Sequence, residues 1–345
     1  MKRLITLSVA LICLIGLGAS ARAKVEVSGS LALETSWSYQ NEAARGDDDQ
    51  VGLYRFGSGE NTLGIAYTSD DKRFEGVAEL CFYGRGDDNI VETAVAYMVY
   101  NADSFSVMMG HNDHPSDDFG PAQTLDDGTA LEGFGNSVLD TNEQIRFSYG
   151  DKYKFLFSID NPYKENVWEE EGAFNWLPGA TAALELNFGN VVIHPWAHAE
   201  WLKYESGEDD DSYYSLDLGL EISGEFGLVG FTAAINYGIN TAQNDPIVSG
   251  DPLVVDNVVE DDVKQLGVWG ELRVGGLALG AGYAQASRDD WSNNPYTMAA
   301  FANYAVEFGM ITFIPEIVWF NHGEDENGAD LGDTVLFGLW TQMEF

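Results

Sequence analysis

Three groups of residues have types and spacings that could do chemistry. His111-Asn112-Asp113-His114 places two imidazoles and a carboxylate close together, a donor set that transition metals accept. His194, His198 and Glu200 alternate along a single run, and acid runs stand at Asp47-Asp48-Asp49, Glu169-Glu170-Glu171, Glu208 to Asp211, Glu260-Asp261-Asp262 and Glu324-Asp325-Glu326. Clustered carboxylate oxygens suit Ca2+ or Mg2+ and could bridge to lipid phosphates. None of the runs has the Asp-x-Asp-x-Asp-Gly spacing of an organised calcium loop. Loosely held Ca2+ or Mg2+ is the most they would recruit, and a solvated, mutually repelling charged rim is the plainer reading. In an extended strand His194 and His198 stand about 13 Å apart by the strand rise, too far to share one ion. No Ser nucleophile beside a His base is visible. The expectation is therefore no metal, no cofactor and no enzyme.

The elements that would position such residues follow from composition. The chain has 345 residues, with 56 Asp+Glu against 17 Lys+Arg and a net charge of −39. Phosphate backbones need cationic partners, so a nucleic-acid binder is excluded. Lys2 and Arg3, the apolar run Leu4 to Leu17 and the small-x-small site Ala21-Arg22-Ala23 form an export signal over residues 1–23. Its removal takes Lys2, Arg3 and Arg22 and brings the charge to −42. Cys81 is then the only cysteine, so no intramolecular disulfide holds residues 24–345 together.

No apolar stretch after the signal is long enough for a membrane helix. Period-two alternation runs throughout instead. It is seen in Val25/Val27/Leu31/Leu33/Thr35/Trp37, Val91/Thr93/Val95/Tyr97/Val99, Tyr153/Phe155/Phe157/Ile159, Leu216/Leu218/Leu220/Ile222 and Val335/Phe337/Leu339/Thr341/Met343/Phe345. Short polar or Gly-rich turns near 70–72, 101–103, 150–151, 189–190, 224–227, 275–276 and 309 alternate with longer connections. The latter fall near 40–59, 84–89, 111–142, 162–179, 205–212, 241–262, 288–295 and 322–332.

Seven short and eight long connections in strict alternation join sixteen strands. This segregation predicts an all-β fold, a 16-stranded antiparallel transmembrane β-barrel with short periplasmic turns and long extracellular loops. Closure also removes the sheet edges that hydrocarbon cannot satisfy. A barrel of this size leaves an aqueous lumen. Aromatics expected at the bilayer interfaces include Trp37, Tyr39, Tyr149, Tyr153, Trp201, Tyr204, Phe308, Trp319, Phe320 and Trp340.

With its export signal, a first strand reading Val25-Glu26-Val27-Ser28-Gly29, a long third connection and a last strand ending in Phe345, the chain resembles the general porins of Gram-negative outer membranes. The resemblance implies a homotrimer of barrels in the outer membrane, in contact with lipid and lipopolysaccharide, each with its own pore and an inward-folded third loop. It also implies that Phe345 and Met343 are read by the outer-membrane assembly machinery. Residues 111–142 match the constriction loop, with Asp113, Asp117, Asp118, Asp126, Asp127 and Glu132 as its acidic lining. Strand parity adds Arg73, Glu75, Glu79, Glu92, Arg146 and Lys154 to the pore wall, and Arg55 and Arg85 beside the first two loops could lean inward. Carboxylates in such a collar concentrate cations. The expected function is passive diffusion of small hydrophilic solutes and ions with a cation bias. The alternatives are a sugar-specific channel, with Phe119, Phe134, Trp196 and Trp269 as stacking surfaces, and a structural or adhesive barrel with a plugged lumen.

Overall fold

The alternating runs pair into one antiparallel sheet that closes on itself in the computed structural model of the chain. The structure describes residues 24–41, 50–58, 61–85, 88–116, 120–125, 142–161, 173–175, 177–206, 209–239, 263–289, 291–324 and 328–345. The export signal read over residues 1–23 lies outside them.

Sixteen strands form the wall, three of them in two pieces. They are β1 (Lys24–Gln40), β2 (Gln50–Ser58 and Asn61–Thr68), β3 (Phe74–Arg85), β4 (Asp88–Asn101), β5 (Phe105–Asn112), β6 (Asn142–Tyr149), β7 (Tyr153–Asp160) and β8 (Ala173–Asn175 and Gly179–Asn187). The second half comprises β9 (Val191–Ser206), β10 (Asp209–Phe226), β11 (Val229–Ile239), β12 (Lys264–Val274), β13 (Leu277–Ser287), β14 (Tyr296–Tyr304 and Val306–Phe308), β15 (Ile311–Asn321) and β16 (Asp333–Glu344). Each strand pairs with its sequence neighbours, and β16 returns to β1 from Ser30↔Glu344 to Gln40↔Thr334. Beyond that ladder Gly29 and Phe345 exchange both backbone hydrogen bonds, each 3.1 Å. The C-terminal residue thus completes the seam.

Parity separates two environments. Val25, Val27, Leu31, Leu33 and Trp37 point outward and are exposed, while Glu34 and Ser36 on the opposite face of β1 are buried and hydrogen-bond to each other. A face of exposed Val, Leu and Phe with a polar interior is the inverse of a soluble protein and suits a lipid surround. Outward aromatics gather beside the short turns, as in the Phe74–Tyr100 and Tyr153–Phe188 ring pairs. A second group, including the stacked Trp37–Phe337 pair, marks the other end. No helix among the described residues is long and apolar enough to cross a membrane.

The short turns are built locally. Between β2 and β3, Ser69 Oγ and the Arg73 N–H both donate to Asp71 Oδ1, and these bonds hold the Asp71 carboxyl below its ordinary range. Lys72 takes a positive φ of 55° to close that turn.

The structure corrects three details of the alternation. Glu79 pairs with Val95 but Leu80 with Thr93, so Ala94 is an extra residue in β4. One inserted residue exchanges the faces: Val91 points out with Met98 and Tyr100, whereas Tyr97 joins the inner face, opposite Val77. Trp340, expected at an interface, pairs with Glu34 and is buried on the lumen side. Finally, the expected connections 84–89 and 205–212 are mostly strand, because β3 runs to Arg85 and β9 and β10 run to Ser206 and from Asp209. Backbone pairing continues past the point where one face is apolar, and beyond the bilayer both faces see water, so alternation stops before the strand does.

Candidate functional site

The third connection leaves β5 at Asn112 and returns at β6, and its described residues are 113–116 and 120–125. Its stem is fixed first. Gln144 Nε2, on the inner face of β6, donates to the carbonyls of Asn112 and Asp113 at 2.8 and 3.0 Å, and Arg146 Nη2 also donates to the Asp113 carbonyl. The connection then crosses the barrel interior. Ala122 N–H donates to Glu271 Oε2 of β12 at 2.6 Å. Thr124 donates to Glu316 Oε2 of β15 through both its N–H and its hydroxyl, at 2.8 and 2.7 Å, and Leu125 N–H reaches Glu316 Oε1 at 3.3 Å.

Asn303 of β14 completes the anchor, donating to the Ala122 carbonyl and, at 3.1 Å, to Glu316. Leu125 is wholly buried against Trp269, Phe301, Val318 and Leu336, which face the interior. A peptide segment carries bare N–H groups, so wall carboxylates are the acceptors that let it lie inside a barrel without orphaned donors. The segment thus blocks the β11 to β16 side of the lumen.

On the other side of residues 120–125 a cavity of about 620 Å3 stays open. It is lined by Gln123 and Thr124 of the loop and by the wall from β16 through β1 and β2 to β3, including Ser28, Thr62, Glu79, Gln342 and Glu344. Among the described residues its charged side chains are the carboxylates of Glu79 and Glu344.

Of the residues expected at the constriction, Asp113 is at the loop base and exposed. Asp117, Asp118, Asp126, Asp127 and Glu132 lie outside the described residues. Glu79 lines the cavity. Arg146 lies at the loop base, with its Nε donating to Gln144 Oε1 at 3.0 Å. Glu75, which accepts from Asn101, and Arg73 sit at a short turn, and Lys154 at another short-turn end is 3.5 Å from Glu185. Glu92 pairs with Cys81 near the upper end of β3. The side chains of Arg55 and Arg85 fall outside the described residues. Met343 faces outward beside Leu31, and the Phe345 ring covers Gly29.

Sequence reading missed the wall anchors Glu271, Asn303 and Glu316, which sit in three different strands. It also placed Trp196 and Trp269 as stacking rails. Both point inward but are buried, Trp269 under Leu125 and Trp196 against Leu156 and Ala183. Phe119 and Phe134 lie outside the described residues.

A second polar cluster sits where the loop stem meets the wall. His114 packs edge-on to His198 with ring centroids 5.0 Å apart, and Asp160 lies between them. Burial pushes the His114 imidazole down to about 4, against the opposing pull of Asp160. Ser116 is within 2.5 Å of His114 Nδ1, which gives the contact the residue types of a hydrolytic triad. The serine is fully buried, so no substrate reaches it, and the contact is a hydrogen-bond chain.

No family model matches the chain, and no curated protein matches it in sequence. Solved structures do match its fold. The outer-membrane channel DcaP of Acinetobacter baumannii superposes with a TM-score of 0.72 at 16% identity, over 94% of this chain and 97% of that one. An anion-selective porin from Comamonas acidovorans gives 0.61 at 12% identity, over 94% and 100%. The trimer form of OmpT, an outer-membrane protein of Vibrio cholerae, gives 0.58 at 13% identity, over 94% and 99%. The chain has the sixteen-stranded barrel fold of the bacterial outer-membrane porins.

Proposed function

We propose that the chain is an outer-membrane pore through which small hydrophilic solutes and ions diffuse passively, with cations favoured over anions. The observation that carries this reading is the open cavity beside the third connection, whose charged side chains among the described residues are Glu79 and Glu344, with no lysine or arginine among them. In a collar walled by protein, fixed carboxylates raise the local cation concentration and exclude anions. The anion-selective relative has the same fold, so the lining and not the barrel sets the sign. The acidic residues Asp117, Asp118, Asp126, Asp127 and Glu132 would deepen the same field. A sugar-specific pore loses support because Trp196 and Trp269 are covered.

Export by residues 1–23, assembly through Phe345 and a homotrimeric state belong to the same reading. The trimer form of OmpT supports the last. Any Ca2+ or Mg2+ at the acid runs would be loosely held at the rim.

Planar-bilayer recording under a potassium chloride gradient tests the proposal. A large ohmic conductance with a reversal potential favouring K+ is expected. Replacing Glu79 and Glu344 together by lysine should lower the K+/Cl− permeability ratio by about ten-fold, in line with the focusing of a charged cleft. A chloride-favouring reversal potential in the unmodified protein overturns the cation reading, and folded, inserted protein without conductance overturns the pore itself.

A further inference from the structure

We infer that His114, Asp160 and His198 form a binding site for a divalent transition-metal ion that ties the stem of the third connection to the barrel wall. The three come from different elements: His114 from the connection, Asp160 from the end of β7 and His198 from β9. One donor atom from each lies within 4.8 Å of the others, and all three side chains are buried. His114 Nε2 is 3.3 Å from Asp160 Oδ2, and His198 Nδ1 is 4.0 Å from Asp160 Oδ1. Tetrahedral zinc with bonds near 2.0–2.1 Å places its ligand atoms about 3.4 Å apart. The first separation already fits, and the second closes with a small rotation of the imidazole.

Both imidazoles turn one nitrogen toward the centre, and His198 presents a lone pair there. His198 Nε2 is 3.1 Å from Glu200 Oε1, a carboxylate that can only accept, so this nitrogen carries the proton and Nδ1 is bare. A metal-binding histidine is oriented by the same outward hydrogen bond to a carboxylate. On His114 the hydroxyl and the backbone N–H of Ser116 both reach Nδ1, at 2.5 and 3.4 Å, so Nε2 is the nitrogen that faces Asp160 Oδ2 and Thr181, and an arriving ion displaces the proton that Nε2 shares with Asp160. Three acceptor positions then face inward, His198 Nδ1 and both oxygens of Asp160, and His114 Nε2 becomes the fourth on losing its proton.

Two hydroxyl protons are available to them. Ser158 donates to Asp160 Oδ2 at 2.8 Å. Thr181 Oγ1 lies 2.9 Å from His114 Nε2, 2.8 Å from His198 Nδ1 and 3.1 Å from Asp160 Oδ2, and its one proton cannot serve both of the last two. Asp160 Oδ1 is buried and makes no hydrogen bond among the described residues. A buried carboxylate oxygen left without a donor, beside a bare imidazole nitrogen, is a place for a cation. Gly179 leaves the approach open, since a Cβ there would stand 2.2 Å from Asp160 Oδ1. Two nitrogens and a carboxylate, with Thr181 Oγ1 or a water as fourth ligand, suit zinc or cobalt better than calcium or magnesium.

The test uses the full chain refolded in detergent and stripped with a chelator. Co2+ is titrated while its visible absorption is recorded, then displaced with Zn2+. One equivalent of Co2+ should give the strong visible band of a tetrahedral centre, which loose carboxylate sites at the rim do not produce. His198→Gln and His114→Gln should each weaken binding by about 10–100-fold or abolish the band, the range known for damage to a metal's supporting shell serving as a lower bound. His194→Gln, four residues away on the same face, should leave it intact. His114 lies outside the strands, so His114→Gln keeps the test decisive if His198→Gln fails to refold. Absence of the band, its survival in both variants, or its equal loss in His194→Gln overturns the site. The readout needs no conductance, so it stands apart from the proposed selectivity.

Discussion

Replacing Glu316 and Glu271 together by alanine is expected to raise both the mean single-channel conductance and the open-channel current noise. Glu316 accepts three hydrogen bonds from Thr124 and Leu125, and Glu271 accepts one from Ala122. Bonds to an ionised acceptor contribute about 1.5–3 kcal/mol each, so the double variant removes several kcal/mol from the docked loop. Roughly 5.5 kcal/mol is enough to carry a two-state equilibrium from 99:1 to 1:99. Burial of Leu125 opposes release with about 1.5–3 kcal/mol and keeps the loop visiting its docked place, hence the noise. Glu316→Gln, which keeps one acceptor oxygen, should lie between the unmodified protein and Glu316→Ala. Unchanged conductance and noise in a folded double variant would show that other contacts hold the segment.

The second large effect is at the closing seam. Gly338 of β16 pairs with Ser36 of β1, and a Cβ added to it would stand 2.3 Å from the Thr35 carbonyl oxygen and 2.7 Å from Ser36 Cα. Both are backbone atoms, so the strands must separate. Gly338→Val should cost about 1–3 kcal/mol in overpacking, and each ladder bond lost adds about 1 kcal/mol. The expected result is a lower urea midpoint and a smaller heat-modifiable folded fraction on gels. Gly52→Val in β2 is the control, since among the described residues no atom lies within 4 Å of the position its Cβ would take. Equal behaviour of the two variants would remove the seam argument.

The barrel was legible because its signals are local. Period-two alternation and the short-then-long rhythm of connections each need only a few consecutive residues, and together they yielded sixteen strands and one face for each environment. The failures mark where local rules end. Ala94 shifts the faces of β4 without any change in residue type that would announce a bulge. Trp340 has the composition of an interface residue and the parity of a lumen residue, and parity prevailed. The site was less readable still. Glu271, Asn303 and Glu316 are unremarkable polar positions on separate strands until the third connection lands on them. His114 and His198 each attracted notice, but along one strand they reach nothing, and only closure of the sheet brings Asp160 between them.

The anchoring of the third connection divides labour between two halves of the wall. Residues 122–125 are held by β12, β14 and β15 through Glu271, Asn303 and Glu316, and the strands from β16 through β3 line the cavity beside them, which in the proposed pore is the surface a solute meets. Substitutions on one half therefore alter the bore, and substitutions on the other alter its charge, with few residues serving both. In the proposed pore, permeant choice is retuned along β1 to β3 while the anchors that set the aperture stay untouched. For nanopore sensing, a reading head could be rewritten on one arc of the barrel while the other arc serves as an unchanged clamp.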